Sequence, residues 1–261
     1  MNNAISEQYK DSSNISKRIQ FHERFSTNKL GFHEWAFEQM KLTHNMNILE
    51  CGCGPAAIWY KNINKIASPI NITLMDLSEG MLNDARKNVA SRSDEFNFKV
   101  GDIQELPFED ESFDVVIANH MLYHVSDIPK AIREVRRVLK KGGLFFASTF
   151  SKLHLKEMDE LIRQFIVLPD TRTSDKFTLE NGFDYINNIF QNTALLHHDD
   201  ALIVTESQPL IDYVLSSSKA RKAFDEEKLH AFINKIDFLL ERDKSIVITK
   251  RAGLFVSSKP L

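Results

Sequence analysis

The sequence contains almost no cysteine. Cys51 and Cys53 are the only two in 261 residues. A Cys-x-Cys pair is two ligands short of a tetrahedral zinc site, and neighbours two apart are badly placed for a disulfide. A disulfide-stapled fold and a structural zinc module are thereby set aside, and the expectation is a cytoplasmic, disulfide-free protein with no metal. Long apolar runs are missing too. None approaches the roughly 20 residues that a membrane-spanning helix needs, so no membrane partner is expected. Nor is there an excess of positive charge: the net charge is -3 and the isoelectric point near 6.3, which argues against a nucleic-acid partner, because such affinity comes mainly from clustered Lys and Arg. The longest basic cluster, REVRRVLKK at 133–141, falls on a helical period and is expected to form a solvated face. The opening MNNAISEQYKDSSN lacks the basic segment and apolar core of a secretory signal. There is no internal repeat, no low-complexity linker, and no signal of oligomeric state.

What is present is a 43% hydrophobic composition, enough for a substantial core in a single α/β domain with insertions. Residues 10–44 read as helix, with Ile15, Ile19, His22 and Phe25 at helical spacing and the pattern renewed in HEWAFEQM. From 47 to 150 strands and helices alternate. The strands are MNILEC, INITLMDL, FNFKVGD, FDVVIANH and LFFASTF. Between them, AIWYKNINKIA is expected to be a helix, Ser78 caps a second, and Asp127 caps a third whose Ile128, Ile132, Val135 and Leu139 form one stripe that Gly142-Gly143 should end. This alternation predicts an α/β fold with a doubly wound, mostly parallel sheet. Beyond 150 the chain reads as helical insertions around a sixth strand in ALLHHDDALIVTE, and it closes with two β runs around Arg251-Ala252-Gly253.

The stretch ILECGCGPAAIWY carries the chemistry. In an open parallel sheet, ligands bind beyond the carboxyl ends of the strands, where strand order reverses. Gly52 and Gly54 would let the backbone turn sharply there and approach a ligand closely. Taken alone, a Gly-x-Gly is equally a tight strand–helix turn. Three acids change the balance. Glu50 stands two residues before the first glycine, where dinucleotide loops usually carry an apolar residue. Asp76 ends the second strand, where a carboxylate can accept both hydroxyls of a ribose. Asp102 follows the third strand, placed to meet an adenine amine.

At this point the chain resembles class I S-adenosylmethionine-dependent methyltransferases, of the small-molecule type that includes ubiquinone and menaquinone biosynthesis enzymes. ILECGCGPA is similar to the first motif, LMDLSEGML to the second, and GDIQELPFEDESFDVVIANHMLYHV to the third and fourth, while AIREVRRVLKKGGLFFAST resembles the helix and strand that close the core. The resemblance implies a seven-stranded, Rossmann-like sheet and S-adenosylmethionine as cofactor. It implies one methyltransferase domain over 1–261, with an N-terminal helical lid at 1–44, a cofactor-binding core at 45–150, helical insertions at 151–243 and a closing strand at 244–261. By resemblance, Glu50 orients the loop, Gly52 and Gly54 pass beneath the methionine moiety, and Asp76 holds the ribose hydroxyls. Leu77 and Met81 flank the adenine, Asp102 with Ile103 binds its amine and ring edge, and Asn119 reaches the methionine amino group. Where the family often has a third glycine, this chain has Ala56.

The implied activity is methyl transfer to a small-molecule acceptor, through in-line displacement at oxygen, nitrogen or carbon. His120 and His124 follow the fourth strand, where an acceptor should lie, and His124 is the better candidate for a base or orienting group. Phe25, Trp35 and Tyr9 are candidates to line a lid. Methyltransferases acting on nucleic-acid amines carry an Asn/Asp-Pro-Pro-aromatic run after the fourth strand, whereas here the run is Asn119-His120-Met121-Leu122. Two rivals remain: a non-catalytic cofactor-binding regulatory module, and an NAD-dependent oxidoreductase. The latter calls for glycine where Ala57 stands.

Overall fold

The computed structural model describes residues 12–261. Tyr9, the first two residues of the expected 10–44 helical stretch, and the side chains of Ile15 and Ile19 lie outside what is described. The chain divides into two compact units. One gathers 12–29, 153–171 and 199–251, and the other 30–152, 172–198 and 252–261.

In chain order the elements begin with helices α1 (Ser12–Phe25) and α2 (Phe32–Met40), strand β1 (Asn47–Cys51) and the one-turn helix α3 (Ala57–Tyr60). Next come β2 (Asn71–Asp76), α4 (Glu79–Asn88), β3 (Phe96–Val100), β4 (Phe113–Asn119), α5 (Ile128–Val138) and β5 (Leu139–Phe150). The chain continues with α6 (Lys156–Ile162), α7 (Gly182–Phe190), β6 (Ala194–Val204), α8 (Ser207–Leu215), α9 (Ser218–Ala223), α10 (Glu226–Asp243) and β7 (Ile246–Ser258).

The seven strands form one sheet in the order β3-β2-β1-β4-β5-β7-β6. Pairing is parallel from β3 through β5, and β5 meets β7 antiparallel. This is the expected doubly wound α/β fold. Strand order reverses between β1 and β4, so the loops after these two strands flank the crevice where such sheets bind ligands. Alternation along each strand sends successive side chains to opposite faces. Ile48, Ile72, Leu74, Val115 and Ile117 pack on one side with Trp59, Leu82 and Ala85. Leu49, Val116, Ala118, Phe145 and Ala147 pack on the other with Ile132, Val135, Ile186 and Phe190. Each fully buried aliphatic side chain of this kind stabilises the fold by about 1.5–3 kcal/mol. Helix α5 shows the sequence logic clearly: Asp127 accepts the Lys130 N–H at 2.9 Å as its N-cap, and the Ile128, Ile132, Val135 stripe is buried.

Three elements differ from the sequence expectation, each for a local reason. The helix after the glycines stops at Tyr60 and gives way to a 3-10 turn at Ile63–Lys65. There the Asn62 amide donates to the carbonyls of Ile58 and His33, at 2.8 and 3.2 Å, competing with helical continuation. Gly142-Gly143 does not end α5, because β5 begins at Leu139, directly after the helix. The glycines sit instead where the β4–β5 register shifts between Phe113 and Val115, and a Cβ at Gly143 would lie 2.8 Å from the Lys140 carbonyl. The two closing β runs are one continuous strand, β7, passing close enough to β6 that a Cβ at Gly253 would meet the Leu196 carbonyl at 2.8 Å.

In the other unit, Phe21 and Phe25 of α1 pack with Leu161, Ile162, Leu202, Ile211, Val214 and Phe232. A buried polar knot fixes the chain just after α1. Asp200 accepts from Lys250 at 2.6 Å, from the Asn28 N–H at 3.0 Å and from the Ser26 hydroxyl. Burial pushes the Asp200 carboxyl up, but the bonds from Lys250, Ser26 and Asn28 outweigh it and hold it at about 2. The HHDD run therefore lies inside an edge strand, with His198 and Asp200 turned inward.

Candidate active site

The loop after β1 takes the left-handed conformation three times, with φ of 64° at Gly52, 52° at Gly54 and 64° at Ala56. Glycine adopts this region freely, whereas alanine there costs roughly 1–2 kcal/mol, so Ala56 carries strain that its neighbours must offset. The fastening is visible. The Cys53 N–H donates to the Met75 carbonyl at 3.1 Å, and the Gly54 N–H donates to Asp76 Oδ2 at 2.9 Å. Asp76 Oδ1 accepts the Ser78 N–H at 2.9 Å. Each Asp76 oxygen thus takes one backbone donor, and a carboxylate has lone pairs for two more.

The two glycines face different surroundings. A Cβ on Gly52 would lie 2.9 Å from Cβ and Cγ of Met121, whereas a Cβ on Gly54 would meet nothing within 4 Å. Gly52 makes room for the protein, and Gly54 faces open space. Beside it Leu77 is 54% exposed, and Met81 is half-buried in the first turn of α4.

Beneath the loop, Glu50 is buried and accepts from Trp59 Nε1 at 2.6 Å and from Asn119 Nδ2 at 3.3 Å. Asn119 Oδ1 accepts from the Ser148 hydroxyl at 3.0 Å, which in turn accepts the His120 N–H at 3.0 Å. One hydrogen-bonded chain therefore joins α3, β1, β4 and β5. Desolvation pushes the Glu50 carboxyl up to about 8, against the bonds from Trp59 and Asn119, and the Asp76 charge adds to the rise. Asp102 is gripped by its own loop: Gln104 donates from its backbone N–H at 2.9 Å and from Nε2 to both carboxylate oxygens, at 3.1 and 3.0 Å. Gln104 Oε1 accepts from Ser126 and from the Asp127 N–H, tying the loop to the start of α5. Ile103 is packed in the core rather than facing solvent.

The two histidines separate. His120 is in the left-handed region, φ 49°, directly after β4. Its ring stacks on Phe150 at 4.2 Å between centroids and lies 4.7 Å from Phe32, with a buried Nδ1 that has no hydrogen-bond partner among the described residues. Burial, helped by the nearby His33, brings its pKa down to about 3, so the ring is neutral. His124 stands on a 3-10 turn, Leu122–His124, against Tyr123. Desolvation by the surrounding chain, then the Lys176 charge, lowers its pKa from the ordinary value. Trp35 lies on α2, with its ring 5.6 Å from Phe32 and 5.1 Å from His198. Cys51 and Cys53 are buried free thiols whose pKa values burial pushes up.

Of the residues singled out from sequence, Glu50, Asn119 and His120 share one hydrogen-bonded chain at the switch point, and Gly54 and Asp76 are bonded to each other in the loop that also carries Gly52. Leu77 and Met81 follow β2 directly, Asp102 and Ile103 follow β3, and His124 is four residues beyond His120. Sequence reasoning missed Trp59, Gln104, Met121 and Ser148. Only Gln104, two residues after an aspartate in a turn, left a readable signal.

Residues 49–147 match the family described as methyltransferase domain. Over 131 residues the chain is 36% identical to the malonyl-[acyl-carrier protein] O-methyltransferase of Erwinia pyrifoliae, covering 50% of this chain and 47% of that protein. Over 132 residues it is 36% identical to the ubiquinone/menaquinone biosynthesis C-methyltransferase UbiE of Rickettsia massiliae, covering 48% of this chain and 53% of that one. The chain thus spans about half the length of these curated relatives. The crystal structure of the YcgJ protein from Bacillus subtilis shares the fold, with a TM-score of 0.59 at 17% identity, covering 88% of this chain and 98% of that one.

Proposed function

We propose that this chain, whose residues 49–147 match the methyltransferase-domain family, transfers a methyl group from S-adenosylmethionine to a small-molecule acceptor. The observation that carries the reading is the switch-point loop. Three left-handed residues are fastened to Asp76 through the Gly54 N–H, and the space beside Gly54 is open.

The residues present fit the cofactor. Asp76 keeps lone pairs for the ribose hydroxyls after accepting two backbone donors. Exposed Leu77 and half-buried Met81 offer an apolar flank for the adenine. Asp102, its carboxylate oriented by Gln104, takes the adenine amine, with the backbone of Ile103, whose side chain is packed in the core, at the ring edge. Gly52 and Gly54 carry the backbone beneath the methionine end, and Asn119, held by Glu50 and Ser148, addresses the amino group. The cofactor supplies a sulfonium-activated methyl carbon, open to in-line attack.

This chain contributes placement and dryness more than covalent chemistry. The network from Trp59 to His120 holds the ends of β1, β4 and β5 in fixed relation, so the site is set before ligands arrive. His120, neutral and half-buried, can orient an acceptor by a hydrogen bond. His124 is the group offered to take a proton where the nucleophile must lose one. Calorimetry with S-adenosylhomocysteine and with NAD tests the reading. Saturable binding of the former alone is expected, and binding of NAD alone would sink it.

A further inference from the structure

At the opposite end of the parallel strands from the glycine loop lies a cleft of about 800 Å³, lined by Asp110, Glu111, Arg133, Arg136, Arg137 and Lys259. Asp110 and Glu111 precede β4, whereas the loop carrying the candidate active site follows the parallel strand β1. The two places are therefore about one strand length apart, on the order of 20 Å for a strand of this size.

The ion pairs within the cleft leave a definite remainder. Arg137 is a structural brace: it binds Glu134 and Asp110, each at 2.8 Å, and also the carbonyls of Phe108 and Leu106, at 2.8 and 2.9 Å. Lys259 donates to the Leu139 carbonyl at 2.8 Å and pairs with Glu111 at 3.3 Å. Both cleft carboxylates are thus matched by cations that also hold the fold. Arg133 and Arg136 are exposed on α5 and make no hydrogen bond or ion pair with any described residue. They are three residues apart on a helix, hence on one face. In a chain of net charge -3, the cleft keeps two unspent guanidiniums. The basic run expected to be a plain solvated face therefore lines a concavity.

We propose that this cleft binds the phosphate end of a small molecule. Guanidinium groups match phosphate oxygens in bidentate geometry, and two on adjacent turns suit a diphosphate better than a single charge. The volume lies within the range of small-molecule sites. An extended nucleic-acid backbone would instead need a long basic track, and Asp110 and Glu111 interrupt any such track here.

The test is calorimetry of the full chain with inorganic pyrophosphate at physiological salt, repeated with Arg133→Ala, Arg136→Ala and the double variant. Both positions are solvent-facing, so the variants keep their fold, which circular dichroism verifies. Saturable binding is expected, weakened about tenfold by each substitution and lost in the double variant, with S-adenosylhomocysteine binding unchanged. ADP in the same titration identifies the source: tighter binding than pyrophosphate assigns a nucleotide, and equal or weaker binding assigns another phosphorylated metabolite. Binding that the double variant retains overturns the proposal. So does failure to saturate, including the case where polyglutamate binds instead and the face belongs to an acidic protein.

Discussion

Substituting the two loop glycines one at a time separates the loop's structural work from its binding work. At Gly54, with φ of 52° and nothing within 4 Å of an added methyl group, alanine costs only the left-handed strain, roughly 1–2 kcal/mol. At Gly52 the same strain is joined by a methyl group 2.9 Å from Cβ and Cγ of Met121. Overpacking of that kind adds about 1–3 kcal/mol, for a total of about 2–5 kcal/mol. Binding should follow the reverse order relative to stability. The Gly54 methyl group would stand in the space assigned to the cofactor, and we expect Gly54→Ala to weaken S-adenosylhomocysteine at least about 100-fold, or about 2.8 kcal/mol. Urea unfolding gives the stabilities and calorimetry the affinities. If Gly54→Ala binds as tightly as the parent while remaining folded, the open space beside Gly54 is not the cofactor's and the assignment of the loop fails.

Three further outcomes are expected. Asp76→Ala should weaken S-adenosylhomocysteine by about 1–3 kcal/mol in calorimetry, the cost of losing charge-assisted hydrogen bonds, and an unchanged affinity would remove Asp76 as the ribose ligand. The folded chain holds the Glu50 proton up to about pH 8, whereas the unfolded chain releases it near 4.5. Native protein thus binds more protons in that window, and the Glu50 contribution to stability falls as pH rises from about 4.5 to about 8. Glu50→Gln should flatten this part of the profile in urea melts at pH 5 and pH 8, and parallel profiles for parent and variant would contradict the burial argument. Asp200→Ala leaves the Lys250 ammonium, 16% exposed, without its carboxylate, and should cost about 3 kcal/mol or more in urea unfolding; a loss under 1 kcal/mol would show that Lys250 finds water instead.

What could be read in advance was whatever depends on short sequence intervals. β1, the glycines and Asp76 all announce themselves through alternation, turn chemistry and position at a strand end, and the parallel sheet follows from the spacing of helices and strands. The Glu50 environment was hidden because its partners come from different elements: Trp59 from the helix after the loop, and Asn119 from a strand 69 residues away. The Asp200 knot was hidden for the same reason, since Ser26 and Lys250 reach it from 174 and 50 residues away. Gly142-Gly143 misled because a helix-stopping signal and a strand irregularity use the same residue. Which of Gly52 and Gly54 faces open space was also beyond the sequence, since the answer depends on where Met121 lies.

The central claim is methyl transfer, and it is tested most directly by incubating the purified chain with methyl-labelled S-adenosylmethionine and a metabolite extract, then following label into small-molecule fractions. The account predicts that label leaves the cofactor, appears in a discrete small-molecule fraction, and fails to do so with Gly54→Ala. Cofactor that binds but yields no labelled product from any extract, with the parent and Gly54→Ala chains alike, would contradict it and point to a module that holds the cofactor without using it.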